Sequence, residues 1–474
     1  MLRARSVRCE ETRRQARAQL RATVRCTSTS GVAQQDCTPD RVRMTATPAP
    51  TLRRRLGLFE TTLSGIGIIL GAGIYALVGE AAGIAGNAVW VSFLIAAAMA
   101  ALTGLSYAEL ASAYPQAGAD YEYTRRGLGG RSGFVVGWLM VVSNLVGAAA
   151  VALGFGGYLA TFVDVDPVLL ASGAIACCTL LALVGVREAV WASIILTFVE
   201  GAGLIFVVAI GLPHIGDRDL LAGPGIRELF SGAALISFAF IGFGQIASLA
   251  EETNDASRVI PRALLLSIAV TTVLYVLVAV AAVSVVGSQS LAASEAPLAE
   301  VAAAAVGSGA RDLVAILALF ATANTVLLLL MAASRMIYGM ASGDEAALPK
   351  VIGQVHPVAG TPVRALILCF VVALGFALSG NLRFVAQASN FAVFVAFIGI
   401  NLALIVLRFR APELSRPFRV RGSIGRFPVL PAMALVAVAG LLVNLEKDAL
   451  IAGGALLVLG LVVSEVLRLW QPRR

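Results

Sequence analysis

The chain has 474 residues, of which 58% are hydrophobic and only 14% are charged, too few charges to cover a soluble protein of this length. This composition excludes an ordinary water-soluble domain and indicates that the lipid bilayer is the solvent for most of the chain. The net charge of +8 would suit a nucleic-acid partner, but thirteen of the 36 basic residues precede Leu56 and most others mark alternate loops. We therefore expect no nucleic acid among its partners.

Residues 1–55 form a basic segment that is rich in arginine and contains few acidic residues. It has no apolar run long enough for a secretory signal, so we predict a disordered basic tail. Its composition resembles that of a transit peptide, which is one alternative. The other, which we favour, is that translation begins at Met44 and leaves only a short tail before the first helix.

Apolar runs follow this tail and recur from Phe59 to Leu469. Runs of about 18 to 25 residues allow a helix to cross a hydrocarbon core about 30 Å thick. They predict an all-α integral membrane protein with about twelve transmembrane helices, at residues 59–82, 87–113, 132–162, 167–184, 189–212, 229–249, 263–287, 311–340, 363–379, 384–408, 428–445 and 448–470. Because basic residues concentrate in loops of one parity, we place both termini in the cytoplasm of a multi-pass protein of the cell membrane.

Two predicted spans carry paired glycines near mid-membrane, at Gly71-Ala72-Gly73 in span one and Gly242-Phe243-Gly244 in span six. Such glycines indicate either close helix packing or a helix break that frees backbone groups for a ligand. Five spans separate the two starts, so spans one and six cross the membrane in opposite directions. An inverted repeat of five plus five helices requires that arrangement, which favours the breaks.

Several kinds of chemistry have no support in the sequence. The chain lacks a GxxxxGK[ST] nucleotide loop, and the glycines after Gly65 lie inside an apolar span with no strand before them. Neither His214 nor His356 stands at metal-ligand spacing from a cysteine or carboxylate, and the six cysteines form no disulfide pattern. We therefore expect no enzyme activity, no cofactor and no metal, and we expect an ion gradient to supply the energy.

Four segments resemble signatures of the amino acid-polyamine-organocation superfamily of permeases, and they occur in the family's order. They read GIGIILGAGIYALVGEAAG (65–83), FAFIGFGQIASLAEETNDASRVIPRAL (238–264), SRMIYGMASGDEAALPKVIGQVHPVAGTPVRA (334–365) and LRFRAPELSRPFRV (407–420). The resemblance covers the chain after Leu56. It implies the LeuT/APC fold, in which a five-plus-five inverted repeat with discontinuous helices 1 and 6 forms residues 56–408. Two more helices are then expected in residues 409–474.

The resemblance also implies an amino-acid substrate that crosses the membrane by alternating access. An amino acid presents a carboxylate and an ammonium group, and a broken helix offers N–H groups and carbonyls that pair with both. We expect N–H groups around Ala72 and Gly73 to face the carboxylate, and carbonyls near Ile69 and Phe238 to accept from the ammonium group. The predicted substrate-binding residues are Ile69, Gly71, Ala72, Gly73, Phe238, Ala239, Ile241 and Gly242.

Three positions bear on the identity of the substrate. Phe238 resembles, by its position, the aromatic residue that acts as a gate over the substrate in antiporters of the superfamily. The alternative is that Phe238 is an ordinary core or lipid-facing ring. Gly244 replaces an acid of relatives that carry cationic substrates, and Ile68 replaces a polar residue. A neutral amino acid is therefore preferred over a polyamine or a cationic amino acid.

Glu200 lies about eleven residues into the fifth predicted span, roughly 16 Å along a helix that rises about 1.5 Å per residue. A charge at that depth costs about 2.5 to 3.5 kcal/mol, so the group should be neutral, paired or functional. Three roles remain open. Glu200 carries a proton that couples transport, it holds a cation such as sodium together with Thr322 and Thr325, or it makes a structural hydrogen bond to Asn144 or Asn324.

The sequence thus predicts a secondary transporter, or permease, that is either coupled to a proton or a sodium ion or facilitative. Obligate amino-acid exchange is the nearest alternative, followed by a carrier of polyamines or cationic amino acids. A non-transporting membrane sensor has no support from a soluble catalytic segment. A disulfide-linked heavy chain is not expected, because the outer loop 163–167 contains no cysteine, and we expect a monomer or a weak homodimer.

Overall fold

The structure, a computed structural model, describes residues 56–115, 119–184, 186–222, 225–251, 253–341, 348–349, 351–355 and 361–470. The tail predicted for residues 1–55, with its alternative start at Met44, lies outside these residues. Helices dominate the described chain, as its long apolar runs predict. A helix satisfies its own backbone hydrogen bonds, which makes it one of the two structures that can span lipid.

The α-helices of the described residues are numbered in chain order. They are α1 (Leu58–Ile69), α2 (Gly73–Ala85), α3 (Val89–Ala113), α4 (Ala119–Leu128), α5 (Gly130–Ala160), α6 (Pro167–Val184), α7 (Val186–Gly211), α8 (Ile226–Ile236), α9 (Ala256–Ala293), α10 (Pro297–Ala305), α11 (Ser308–Ala341), α12 (Val363–Ala377), α13 (Leu382–Arg410), α14 (Val429–Leu442) and α15 (Lys447–Trp470). Strands β1 (Ser423–Ile424) and β2 (Phe427–Pro428) form an antiparallel hairpin before α14.

Eight helical segments of the described residues are long and apolar enough to cross a membrane. The first of them, Gly73–Ala113, joins α2 and α3 through a short 3-10 turn. Shorter apolar helices are α1, α6, α12 and α14. The sequence prediction of an all-helical membrane protein is therefore supported, while the count of twelve crossings and the inverted repeat stay predictions.

Helix α5 lies at the centre of the packing, and α15 lies at its edge. In the most apolar window of α5, 89% of the residues are buried, against 11% in α15. Helix α5 packs against α6, α11 and α13, while α3 packs against α9. The exposed apolar side chains of α15, such as Val462 and Leu469, are therefore the ones expected to face lipid.

A buried ion pair joins the ends of α3 and α13. Arg408 donates to both carboxylate oxygens of Glu109, at 2.5 and 2.9 Å, and neither side chain is more than 2% exposed. Arg416, in the loop after α13, lies 3.4 Å from the same carboxylate, and the Val420 N–H donates to it at 2.8 Å. The Glu109 carboxylate thus fastens this loop to two helices through charge-assisted hydrogen bonds.

The first predicted helix break is present. Helix α1 ends at Ile69 and α2 begins at Gly73, and the backbone of Leu70 between them leaves helical geometry with a ψ of 85°. The Ala72 N–H leaves the helical pattern and donates to Thr325 Oγ1 on α11 at 3.0 Å. The two halves of the first helix are therefore joined by a short non-helical segment held from α11.

The second predicted break is present, but it is a long irregular segment rather than a short interruption at Gly242. Helix α8 ends at Ile236, and a 3-10 helix runs over Ser237–Glu251, so Gly242 and Gly244 lie well inside it. A 3-10 helix this long is uncommon because its hydrogen-bond geometry is poorer than that of an α-helix. The chain thus departs from α geometry at Ser237, five residues before Gly242.

Hydrogen bonds at the end of α8 explain that earlier departure. The amide group of Asn390 on α13 donates to the Ala234 and Leu235 carbonyls at 2.7 and 2.9 Å, and the Ser237 hydroxyl donates to Ala233 at 2.7 Å. The last carbonyls of a helix need partners from outside it. Asn390 and Ser237 supply such partners where α8 ends.

Candidate functional site

A cavity of about 230 Å³ lies between the first break and the 3-10 helix. Its walls come from α1, α2, the 3-10 helix, α5, α11 and α13. Along α11 it continues past Met331 to Arg335, and along the 3-10 helix it reaches Leu249. The cavity therefore extends from the broken helices toward one end of the helix bundle.

Seven of the eight predicted substrate-binding residues line this cavity. They are Ile69, Gly71, Gly73, Phe238, Ala239, Ile241 and Gly242. Ala72 does not line it, because its side chain is fully buried and its N–H is taken by the Thr325 hydroxyl. The expectation that the Ala72 N–H faces a ligand is therefore corrected.

The N-terminus of α2 borders the cavity at Gly73. The first intrahelical hydrogen bond of this half-helix runs from the Ala76 N–H to the Ala72 carbonyl at 2.9 Å. The N–H groups of Gly73, Ile74 and Tyr75 precede it and have no partner within the helix. Such a terminus favours an anion through its free N–H groups and through the helix dipole.

The carbonyl side of the site contains a residue that sequence reasoning missed. Tyr275 on α9 donates its hydroxyl to the Ile69 carbonyl at 2.9 Å and lies 3.3 Å from the Ala239 carbonyl. Both carbonyls belong to residues of the cavity wall. A buried tyrosine in an apolar span needs a hydrogen-bond partner, and that need was the available signal.

Glycines allow the two irregular segments to cross closely. A Cβ atom at Gly73 would lie 2.8 Å from the Ala239 Cα, and one at Gly242 would lie 2.3 Å from the Ile68 carbonyl oxygen. Both glycines also line the cavity. The packing and ligand-site interpretations of these glycines are therefore compatible.

We expect Gly242→Ala to abolish transport and Gly375→Ala to leave it near the wild-type rate. The new Cβ at residue 242 would meet backbone that cannot move aside, whereas no described atom lies within 4 Å of one at residue 375. The measurement is the uptake of labelled amino acids into vesicles, divided by the amount of folded protein. Wild-type uptake by Gly242→Ala would contradict the close crossing.

Phe238 lies at the cavity with 8% of its surface exposed, so it is not a lipid-facing ring. Its ring packs toward Gly147 on α5, where an added Cβ would lie 3.4 Å from Phe238 Cε2. The ring therefore closes one side of the cavity between the 3-10 helix and α5. This position suits the gate interpretation, which stays a prediction.

The described cavity wall contains no acidic side chain. Its lining residues include Arg335, which is exposed, and no aspartate or glutamate. Gly244 does not line the cavity, because it packs against Tyr107, 3.1 Å from an added Cβ. Ile68, the other specificity position, does line it. The described wall thus offers no carboxylate to pair with a cationic side chain.

Glu200 is fully buried on α7, away from the cavity wall. Neither carboxylate oxygen has a hydrogen-bond partner in the described part of the chain, so the structural bond to Asn144 or Asn324 is not formed. The Asn324 amide donates to Thr197 Oγ1 at 3.3 Å instead. The Glu200 backbone carbonyl accepts from the Tyr75 hydroxyl at 2.9 Å, which ties α7 to α2.

The two threonines that were predicted to help bind a coupling cation lie in different places. Thr325 lines the cavity, accepts from the Ala72 N–H and donates to the Ala321 carbonyl at 3.0 Å. Thr322 is fully buried and donates to the Ala318 carbonyl at 2.7 Å. Within the described ranges no cluster of three histidine, cysteine or acidic side chains could hold a metal ion.

The fold and the cavity agree with comparisons to known proteins. Residues 56–470 match the family described as amino acid permease, and the chain belongs to that family. The chain is therefore a multi-pass integral membrane protein of a transporter family, as the resemblance in its four segments predicted.

Individual relatives differ in what their names say they carry. The branched-chain amino acid permease BcaP of Bacillus subtilis is 29% identical over 87% of this chain and 92% of its own length. The methylthioribose transporter of the same organism is 28% identical over 82% of this chain and 87% of its own. Human cationic amino acid transporter 4 is 29% identical over 77% of this chain and 61% of its own. Membership of the family therefore does not identify the substrate, and the residues of the cavity have to indicate it.

Proposed function

We propose that this protein is a secondary active transporter that carries neutral amino acids by alternating access. The observation that supports it most is the cavity between the two irregular helices. A helix N-terminus at Gly73 and the backbone of Ile69 and Ala239 border the cavity, and most of the remaining wall is apolar. These are the partners that a carboxylate, an ammonium group and an apolar side chain require.

A neutral substrate agrees with the absence of acidic side chains from the described cavity wall. The described cavity wall contains no aspartate or glutamate to pair with a cationic substrate side chain, and an unpaired buried charge is strongly disfavoured. The name of the branched-chain permease supports the same substrate class. Cationic amino acids are the second candidate, supported by the name of human cationic amino acid transporter 4.

The proposed cycle uses the LeuT/APC architecture, with twelve spans, a five-plus-five inverted repeat and both termini in the cytoplasm of the cell membrane. In this cycle α1, α2 and the 3-10 helix rearrange around the cavity to open it to either side. The cavity reaches Leu249 on the 3-10 helix and continues past Met331 to Arg335 on α11. This extension supports a release path at that end of the helix bundle. Phe238, a residue of the cavity wall, is the proposed cover over the substrate.

Coupling to protons is the proposed driving mechanism. Glu200 has a carboxyl group without a described hydrogen-bond partner in an apolar span, and such a group favours its neutral, protonated form. Its backbone carbonyl accepts a hydrogen bond from the Tyr75 hydroxyl near the start of α2. In the proposed cycle, proton loss from Glu200 acts on this half-helix, which bears the substrate site.

A radiolabelled uptake screen over the twenty amino acids and common polyamines, at two external pH values, tests this function. We expect branched-chain and other neutral amino acids to accumulate, faster at the lower external pH, while lysine, arginine and polyamines do not. Uptake confined to cationic compounds would contradict the proposed substrate class. If labelled leucine enters only vesicles that contain unlabelled amino acid, the protein is an obligate exchanger and the proposed mechanism is contradicted.

A further inference from the structure

The hairpin of β1 and β2 is held against the helix bundle by the buried pair of Glu109 and Arg408. The Arg408 guanidinium donates to the Ser423 hydroxyl on β1 at 2.5 Å and to the Val420 carbonyl at 3.0 Å. The Val420 N–H donates to the Glu109 carboxylate at 2.8 Å. The hairpin therefore has a fixed place beside the ends of α3 and α13.

Two apolar side chains are exposed side by side at the tip of this hairpin. Ile424 on β1 and Phe427 on β2 are opposite each other in the strand register, so their side chains lie on the same face. Their exposed fractions are 77% and 42%. Only Gly425 and Arg426 separate the two strands, so the hairpin presents one compact apolar tip.

Arginines flank this tip in the chain. Arg419, Arg421 and Arg426 are exposed, and none of them forms an ion pair with another side chain of the described residues. The loop of residues 411–428 contains one acidic residue, Glu413. Guanidinium groups bind phosphate through paired N–H donors. The charge around the tip therefore fits a surface that carries phosphate groups.

The length of α14 bears on the depth of the hairpin in the membrane. Helix α13 ends at Arg410, and α14 begins at Val429, directly after β2. In the proposed topology α14 is a span, yet its 14 residues extend only about 21 Å, less than a hydrocarbon core of about 30 Å. A helix that is too short for the core draws its flanking residues toward the headgroups. At that depth an apolar tip enters the bilayer and arginines reach the lipid phosphates.

We propose that the hairpin surface, made of Arg421, Ile424, Arg426 and Phe427, binds anionic phospholipid at the membrane face where α13 ends. Ile424 and Phe427 contact the acyl chains, and the two arginines bind the headgroup phosphate. Anionic lipid is preferred over zwitterionic lipid, because a zwitterionic headgroup carries a positive charge that offsets its phosphate. This inference uses the proposed span of α14 and does not depend on which compound the cavity carries.

The test replaces Phe427 of the full chain by the photo-crosslinking residue benzoylphenylalanine, which keeps an aromatic ring there. The protein is placed in nanodiscs of phosphatidylcholine and phosphatidylglycerol, and mass spectrometry of the adducts gives the ratio of the two lipids at the hairpin. The same probe at Val436, a 75% exposed residue of α14, gives the ratio for ordinary lipid contact. We expect phosphatidylglycerol to be enriched about fivefold or more at residue 427 over residue 436, since one arginine near the surface favours anionic lipid by about this factor.

Two double variants of the protein with the probe at residue 427 separate the hairpin arginines from the total charge. Arg421→Gln with Arg426→Gln should bring the lipid ratio close to that at residue 436. Arg227→Gln with Arg311→Gln is the matched control, because it removes the same charge from exposed positions on α8 and α11. The control should keep the enrichment of phosphatidylglycerol.

Lipid adducts at residue 436 but not at residue 427 would place the tip in water and overturn the inference. So would equal lipid ratios at the two residues when all arginines are present, or an equal loss of enrichment in both double variants. Added RNA, another polyanion that arginines attract, should leave the lipid adducts at residue 427 unchanged, and displacement of the lipid by RNA would also overturn the inference. Melting temperatures of all variants confirm that folded protein is compared.

Discussion

Glu200→Gln should abolish the dependence of uptake on external pH while leucine binding stays measurable. Glutamine keeps the size of the side chain and cannot release a proton, so a transport cycle that needs proton loss from residue 200 stops responding to pH. In the wild type we expect uptake to rise as the external pH falls, because protonation of Glu200 on the outer side precedes each turnover. Initial rates of leucine uptake at several external pH values are the measurement.

The control for this prediction is Glu413→Gln, which changes an exposed glutamate in the loop after α13. That variant should keep the pH profile of the wild type. If Glu200→Gln also keeps it, Glu200 is not the proton carrier. The carboxyl group would then be only a buried group without a hydrogen bond, and the coupling group would have to be sought elsewhere.

Glu109→Gln should lower the free energy of unfolding by about 3 kcal/mol or more, since removal of one partner from a buried pair leaves the other charge uncompensated. Two guanidinium groups, those of Arg408 and Arg416, share the Glu109 carboxylate, and their side chains are 2% and 8% exposed. Burial lowers the pKa of Arg416, and the charge of Glu109 opposes that shift. Loss of the carboxylate therefore removes the counter-charge of both.

Denaturant-induced unfolding in detergent or bicelles measures this effect, with Glu465→Gln as the matched control. Glu465 pairs with Arg131 at 3.3 Å, but the two side chains are 53% and 66% exposed. Exposed pairs contribute about 0 to 1 kcal/mol, so the control should unfold nearly as the wild type does. Equal stability of Glu109→Gln and Glu465→Gln would contradict a structural role for the buried pair.

The sequence predicted the helical membrane fold because lipid restricts the backbone to few structures. Apolar runs then mark the helices directly. It also predicted the first break, because Gly71 and Gly73 stand in mid-span and the local sequence decides where α1 ends. The cavity wall followed, since most predicted site residues lie within a few positions of one of the two breaks.

The parts that failed depend on residues distant in the chain. The second irregular segment begins at Ser237 because Asn390 on α13 takes the last carbonyls of α8, a contact that no local pattern reveals. Ala72 leaves the cavity wall because Thr325 on α11 accepts its N–H. Tyr275 escaped notice because its two acceptors are backbone atoms of other segments. Such contacts are fixed by tertiary packing rather than by periodicity.

The most direct test of the account is leucine uptake into proteoliposomes that contain no internal amino acid and have an alkaline interior. The account predicts that labelled leucine accumulates above its external concentration and that a protonophore abolishes the accumulation. Arginine should not accumulate under the same gradient. The contradicting result is that liposomes with folded protein take up no more leucine than liposomes without protein. The protein would then not carry neutral amino acids through the cavity between the two helix breaks.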